Sequence, residues 1–164
     1  MRRTLLLLAL LSLSACGGPK DPKALNRAGE ESLAAGDSAA AEKSFSKALE
    51  ALGSETGSPD YTAAKLGLAQ AKIASDPKAA ANDFLALARA KPESIQDKQF
   101  QSFANQLADG NHLVEATEVL TAGIQAFPES PSLVALRDSL GDRAKQAGNA
   151  DALDALSGLG YVGK

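Results

Sequence analysis

This sequence of 164 residues has little of several residue types, since it contains one cysteine, one histidine and no tryptophan. A single cysteine excludes a disulfide within the chain and any metal site built from several cysteines. The one histidine, His112, follows Asn111 at the start of a predicted helix, where an exposed first-turn residue is expected. The sequence also lacks a G-x-S-x-G motif and a glycine-rich phosphate loop. We therefore predict that the chain is not an enzyme and that it has no catalytic residues, no metal and no bound cofactor.

Excess positive charge is also missing. The chain carries 17 Lys+Arg against 20 Asp+Glu, a net charge of −3. If residues 1–15 are removed, Arg2 and Arg3 are lost with them and the net charge becomes −5. Proteins that bind nucleic acids usually present a basic face, so a nucleic-acid partner is not predicted. Aromatic residues make up only 4% of the sequence. Alanine is abundant and β-branched residues are few, which favours an all-α fold.

A run long enough to span a membrane as a permanent helix is absent. The apolar run from Leu5 to Leu13 is interrupted only by Ser12. It is about half the length of roughly 20 residues that a spanning helix requires. Because Arg2 and Arg3 precede it, the run matches the hydrophobic region of a secretory signal. A buried core helix would instead show a polar stripe at the helical period. We therefore predict a signal peptide over residues 1–15.

The end of this run resembles the lipobox of bacterial lipoproteins: Leu13-Ser14-Ala15-Cys16 has a branched aliphatic residue, two small residues and a cysteine. The resemblance implies that diacylglycerol is attached to the Cys16 thiol, that the chain is cleaved before Cys16, and that the new amino group is acylated, for example with palmitate. The alternative is a secreted protein with an incidental cysteine. Gly17 follows Cys16 where an aspartate would resemble an inner-membrane retention signal. The resemblance therefore implies the periplasmic face of the outer membrane, with residues 16–20 as a short lipid-anchored tether.

Helix-start signals recur along the rest of the chain at a nearly fixed interval. The first set is Asp21, Ser58, Ser94 and Ser130, spaced by 37, 36 and 36 residues. A proline follows all of these except Ser94, whose weaker capping box uses Asp97. A second set, Asp37, Asp76, Asn111 and Asn149, falls between them. This alternation predicts an array of helical pairs. The predicted helices cover residues 22–35, 38–52, 59–74, 77–90, 95–109, 112–126, 131–147 and 150–157.

Within these pairs the residues resemble the tetratricopeptide repeat, or TPR, which places small residues where its two helices approach closely. The first unit has Gly29, Ala41, Phe45 and Ala48 at the pattern positions, and the third has Ala104, Ala116, Leu120 and Gly123. The second unit is weaker, because Leu87 is large where a small residue is expected, and the fourth lacks the pattern. The resemblance implies an all-α, TPR-like helical-hairpin solenoid over residues 21–157, with about three repeats and a degenerate C-terminal capping pair. A plain helical bundle is the alternative.

Residues 158–164 contain three glycines, which prevent a regular helix, together with apolar Leu159, Tyr161 and Val162. We predict a C-terminal tail that folds back onto the last helix. The alternative is a short peptide that is offered to a partner.

In the TPR family the first helices of successive units line a concave groove that accepts a peptide or a helix. The resemblance places seven polar residues on this groove: Lys23, Asn26, Lys65, Lys72, Lys98, Gln101 and Asn105. The predicted ligand is a protein or peptide of unknown identity. The alternative is that the lysines only keep the surface soluble. Glu30 stands where the chaperone-type carboxylate clamp has an asparagine, so that activity is not implied.

Together these patterns predict a lipid-anchored, periplasmic scaffold for protein–protein interaction, with a role in the assembly of envelope or outer-membrane complexes. Its partners would be a protein or peptide and, through the lipid on Cys16, the membrane. Two alternatives remain open. One is an accessory subunit of a cell-envelope or polysaccharide enzyme, and the other is a structural lipoprotein without a specific groove ligand.

Overall fold

The computed structural model describes residues 21–163. The predicted signal peptide, the lipidated Cys16 and the tether therefore lie outside the described residues. The described part of the chain forms eight α-helices, which confirms the all-α prediction. The helices are α1 (Pro22–Ala34), α2 (Ser38–Leu52), α3 (Pro59–Lys72), α4 (Pro77–Ala90), α5 (Asp97–Asp109), α6 (Leu113–Ala126), α7 (Pro131–Ala147) and α8 (Ala150–Gly158), with a short 3-10 turn at Pro92–Ser94.

Most predicted helix starts are confirmed because a side chain at the N-cap accepts a hydrogen bond from the first turn. Asp21, for example, accepts from the backbone N–H groups of Lys23 and Ala24, each at 3.3 Å. The five helices capped in this way follow Asp21, Asp37, Ser58, Asp76 and Asn149. Each such cap stabilises its helix by about 1 kcal/mol.

Two predicted starts are wrong, both in the third pair. Ser94 lies in the 3-10 turn, and α5 begins at Asp97 after the N-cap residue Gln96. Helix α6 begins at Leu113, so that His112 is its N-cap. Asn111 instead adopts a left-handed conformation with φ 65°. Asparagine tolerates this conformation better than most residues. Asn111 therefore ends α5 in the left-handed conformation that Gly36 and Gly148 adopt after α1 and α7.

Helices that follow one another in the sequence pack as adjacent pairs, α1 on α2, α3 on α4, α5 on α6 and α7 on α8. Helix α1 also packs on α3, α5 on α7, α4 on α6, and α6 on α8. This order is consistent with helical hairpin repeats. The succession is interrupted at α5, whose backbone is not closely packed on α3 or α4 within residues 21–163. At this junction the contact is made by large side chains.

The core of the first three helices is built around Phe45, whose side chain is only 1% exposed. Its ring lies directly on the backbone of α1 at Gly29 and of α3 at Gly67. A Cβ atom at Gly29 would stand 2.6 Å from the Phe45 ring, and one at Gly67 would stand 2.3 Å from it. These helices can approach the ring only because both positions lack a side chain. Ala41 and Ala48, predicted as small residues at close helix contacts, are fully buried.

A larger core joins α4 to the C-terminal helices and is centred on Phe84. The Phe84 ring stacks on Phe103 at a centroid distance of 4.4 Å and meets Phe100 edge-on at 5.1 Å. Phe100 in turn meets Phe127 at 6.0 Å. Offset stacked and edge-on pairs are the favoured arrangements of aromatic rings. The side chain of Phe84 therefore bridges the gap that the backbones of α4 and α5 leave between them.

The C-terminal tail folds back onto α7 and so lies one helix earlier than predicted. The Tyr161 ring covers Gly141, where a Cβ atom would stand 2.2 Å from it. The Tyr161 hydroxyl donates to Asp142 Oδ1 at 3.0 Å, and Arg137 Nη1 donates to the carbonyl of Leu159 at 3.1 Å. Partial burial raises the pKa of the Tyr161 phenol, and its hydrogen bond to Asp142 and the nearby carboxylates raise it further.

Candidate functional site

The predicted groove residues of α1 lie beside the first turn of α3. Lys23 and Asn26 line a surface depression of about 510 Å³, the α1–α3 depression, together with Arg27, Glu30 and Asp60. Lys23 is exposed and Arg27 forms an ion pair with Glu31 at 3.0 Å. With Asp21 included, two cationic side chains face three carboxylates around this depression, so it is weakly acidic. It therefore does not favour a negatively charged partner.

Asn26 is almost completely buried, with 4% of its surface exposed. Its Nδ2 group donates to the carbonyl of Asp60 at 2.9 Å and so joins α1 to α3. Its Oδ1 atom has no hydrogen-bond partner among the described residues. A buried polar atom is usually paired, so this oxygen is an exception within the core. Asn26 thus holds two helices together at the floor of the depression.

The predicted residues of α3 face its partner α4. Lys65 and Tyr61 of α3, Asp83, Leu87 and Ala90 of α4, and Lys91 line an opening of about 430 Å³, which we call the α3–α4 cleft. The Lys65 ammonium stands 5.8 Å from the centroid of the Tyr61 ring. Lys72 of the same helix forms an ion pair with Asp83 at 2.6 Å. Lys65 and Lys72 therefore belong to a surface shared by the two helices of the second pair.

The predicted residues of the third pair lie on α5. Lys98 is exposed, while Gln101 and Asn105 are half-buried. Because α5 does not pack closely on α3, these residues join neither the α1–α3 depression nor the α3–α4 cleft. Of the seven predicted residues, two thus line the α1–α3 depression, one lines the α3–α4 cleft, and the other four line neither: Lys72, Lys98, Gln101 and Asn105.

The TPR resemblance assigns ligands to the first helices only, so it did not predict several residues that line the α3–α4 cleft. Leu87 forms the apolar floor of the α3–α4 cleft and is 6% exposed. The sequence did contain a signal for it, since Leu87 is large where the repeat pattern has a small residue. Asp83, Ala90 and Lys91 come from the second helix of that pair and its connector, and no feature of the pattern marks them.

A second surface that was missed lies on the second helices. A trough of about 440 Å³ runs between α4, α6 and α8 and is lined by Arg89, Glu118 and Asp151 among others. A smaller depression of about 310 Å³ shares Leu85 and Arg89 with it. We call this surface the α4–α6–α8 trough. One arginine faces two carboxylates there, so the trough is weakly acidic.

Residues 21–163 contain no group of three or more His, Cys, Asp or Glu side chains that could hold a metal ion. His112 is half-buried, and its imidazole covers Gly110, where a Cβ atom would stand 2.8 Å from it. In the same part of the chain, no helix combines the length with the apolar character that a bilayer crossing requires.

Comparison with protein-family models, with curated proteins and with solved structures found no match to this chain.

Proposed function

We propose that the chain is a TPR-like scaffold for protein–protein interaction, anchored to the bacterial outer membrane by lipid on Cys16. The observation that supports the scaffold most strongly is the packing of eight described helices in successive adjacent pairs. Arrays of this kind expose extended surfaces between helices, and such surfaces bind peptides and protein segments.

The burial of the pattern residues supports the TPR-like type. Ala41, Phe45 and Ala48 of the first unit are buried, as are Ala104, Ala116 and Leu120 of the third. Two pattern glycines also lie at close helix contacts. A Cβ atom at Gly29 would stand 2.6 Å from the Phe45 ring, and one at Gly123 would stand 2.9 Å from Phe100 Cβ. Close helix contacts at these small residues are what the TPR pattern implies.

The scaffold can be tested by photo-crosslinking in cells that produce the full chain. A photoreactive amino acid is placed at Ala90 in the α3–α4 cleft or at Gln101 on α5, with Ala39 on the exposed side of α2 as the matched control. We expect a discrete protein adduct from Ala90 or Gln101 and none from Ala39. If no position gives an adduct, or all three give the same one, the interaction function is wrong.

The anchor can be tested separately by the change Cys16→Ser. Acyl chains contribute about 0.8 kcal/mol for each buried CH₂ group, and stable anchoring needs more than one chain. We expect the variant to lose palmitate labelling and to move from the membrane fraction to the soluble fraction. A cysteine placed elsewhere in that variant, by Ser54→Cys in the exposed α2–α3 connector, should restore neither property. Unchanged labelling and fractionation of Cys16→Ser would contradict the anchor.

A further inference from the structure

The interrupted helix succession leaves one face of the second pair open. In the first pair the next helix, α3, packs on both α1 and α2. In the second pair the backbone of the next helix, α5, comes close to neither α3 nor α4 within the described residues, and α5 meets α4 through the rings of Phe84, Phe100 and Phe103. The residues that line the α3–α4 cleft come from α3, α4 and their connectors, and none comes from α5. The cleft thus lies between α3 and α4 on a side that α5 does not line.

The cleft combines an apolar floor with an aromatic wall. Leu87 lies at the floor with Ala90 beside it, and the half-buried Tyr61 ring stands at the wall. Apolar side chains and one aromatic ring are the usual lining of a pocket that accepts a single apolar side chain. The opening of about 430 Å³ has room for a large aliphatic or aromatic group.

The charges around the cleft are mainly positive. Asp83 is the carboxylate that lines it, and the ammonium of Lys72 already pairs with Asp83 at 2.6 Å. Lys65 and Lys91 have no carboxylate partner in the part of the chain that the structure describes. Two ammonium groups therefore stand uncompensated at the edge of an apolar floor.

This charge distinguishes the cleft from the other surfaces of the array. The α1–α3 depression has Lys23 and Arg27 against three carboxylates, and the α4–α6–α8 trough has Arg89 against two. Complementary charge determines which partners approach and in which register they bind. Among these surfaces, the α3–α4 cleft is the one that favours a negatively charged partner.

Resting on the proposed scaffold function, we propose that the α3–α4 cleft binds an acidic peptide segment, with one apolar side chain on the Leu87 floor and carboxylates at Lys65 and Lys91. A recessed apolar floor favours a peptide over a lipid surface, because headgroups in a flat membrane would reach the lysines but not the floor. This proposal adds to the scaffold function the place where the ligand binds and the chemistry of that ligand.

The probe is a displayed library of random dodecapeptides, selected on the full, detergent-solubilised lipoprotein. We expect the selected peptides to be rich in Asp and Glu around one large apolar residue. The changes Lys65→Glu and Lys91→Glu should each weaken binding of a selected peptide about tenfold or more, since each places like charges together. The matched change Lys47→Glu, on the exposed side of α2, should leave binding unchanged. Circular dichroism checks the fold, and added salt should weaken binding to the unmodified protein.

The remaining outcomes overturn the site in distinguishable ways. Peptides that bind equally well to the Lys65 and Lys91 variants would place the ligand elsewhere and leave the scaffold standing. A library that yields no enriched peptides also overturns the site. If, in addition, Ala90 and Gln101 give no crosslinks in cells, the scaffold function is wrong as well. Phosphatidylglycerol vesicles form the last arm. If both lysine changes abolish vesicle binding while peptides are unaffected, the surface binds membrane and the peptide proposal is wrong.

Discussion

Replacing Phe45 with alanine is expected to lower the free energy of unfolding by about 3–5 kcal/mol, the range for large aromatic truncations in a core. The ring fills the space between the Gly29 backbone of α1 and the Gly67 backbone of α3. Because neither glycine has a side chain that could move into the vacated volume, the cavity should remain largely open. Chemical denaturation monitored by circular dichroism measures the loss.

The same change should act mainly on one end of the array. In a helical array each unit contacts only its neighbours, so local stability can differ along the chain. Phe45 belongs to a small core cluster with Ala41 and Ala71, which is separate from the larger cluster around Phe84. Hydrogen exchange should therefore show greater loss of protection in α1–α3 than in α5–α8. The control is Phe127→Ala. Because the Phe127 ring is only half-buried, its removal should lower the free energy of unfolding by less. A uniform loss of protection, or a loss below about 1 kcal/mol, would contradict this prediction.

The positions of the helices were predictable because their signals are local. A capping side chain followed by proline needs only the next few residues to act, and the starts after Asp21 and Ser58 agree with the structure. The error at Asn111 also has a local cause. Asn111 can either cap a helix or adopt a left-handed conformation, and the sequence does not determine which one it does.

The surfaces between helices were not predictable in the same way, because they depend on how far apart whole helices stand. A repeat register assumes that every unit is stacked alike, whereas α5 is held to α4 through Phe84, Phe100 and Phe103. Leu87 departs from the pattern in the same pair, and it forms the floor of the cleft. The tail contact between Tyr161 and Gly141 also joins residues far apart in the sequence, which no periodic pattern could indicate.

The change Phe84→Ala should have the second large effect, again about 3–5 kcal/mol, because it removes a fully buried ring from the larger core. It should also weaken the link between the two ends of the array. Phe84 makes the stacked contact with Phe103 at 4.4 Å and the edge-on contact with Phe100 at 5.1 Å. With this ring removed, α4 remains joined to the later helices mainly through its packing on α6. Denaturation should then separate into two transitions or show a reduced dependence on denaturant concentration.

The conservative change Phe84→Leu is the matched control for this link. Leucine keeps an apolar side chain at the junction but cannot reproduce the aromatic pairs, which contribute about 0.5–1.5 kcal/mol each beyond their buried area. We expect Phe84→Leu to retain a single transition at a lower denaturant midpoint, since partial filling of the gap keeps the two ends coupled. If Phe84→Ala instead unfolds in one transition at the midpoint of the unmodified protein, the ring does not couple the two ends. The packing of α4 on α6 would then be sufficient to join the two ends without the contacts of Phe84 with Phe100 and Phe103.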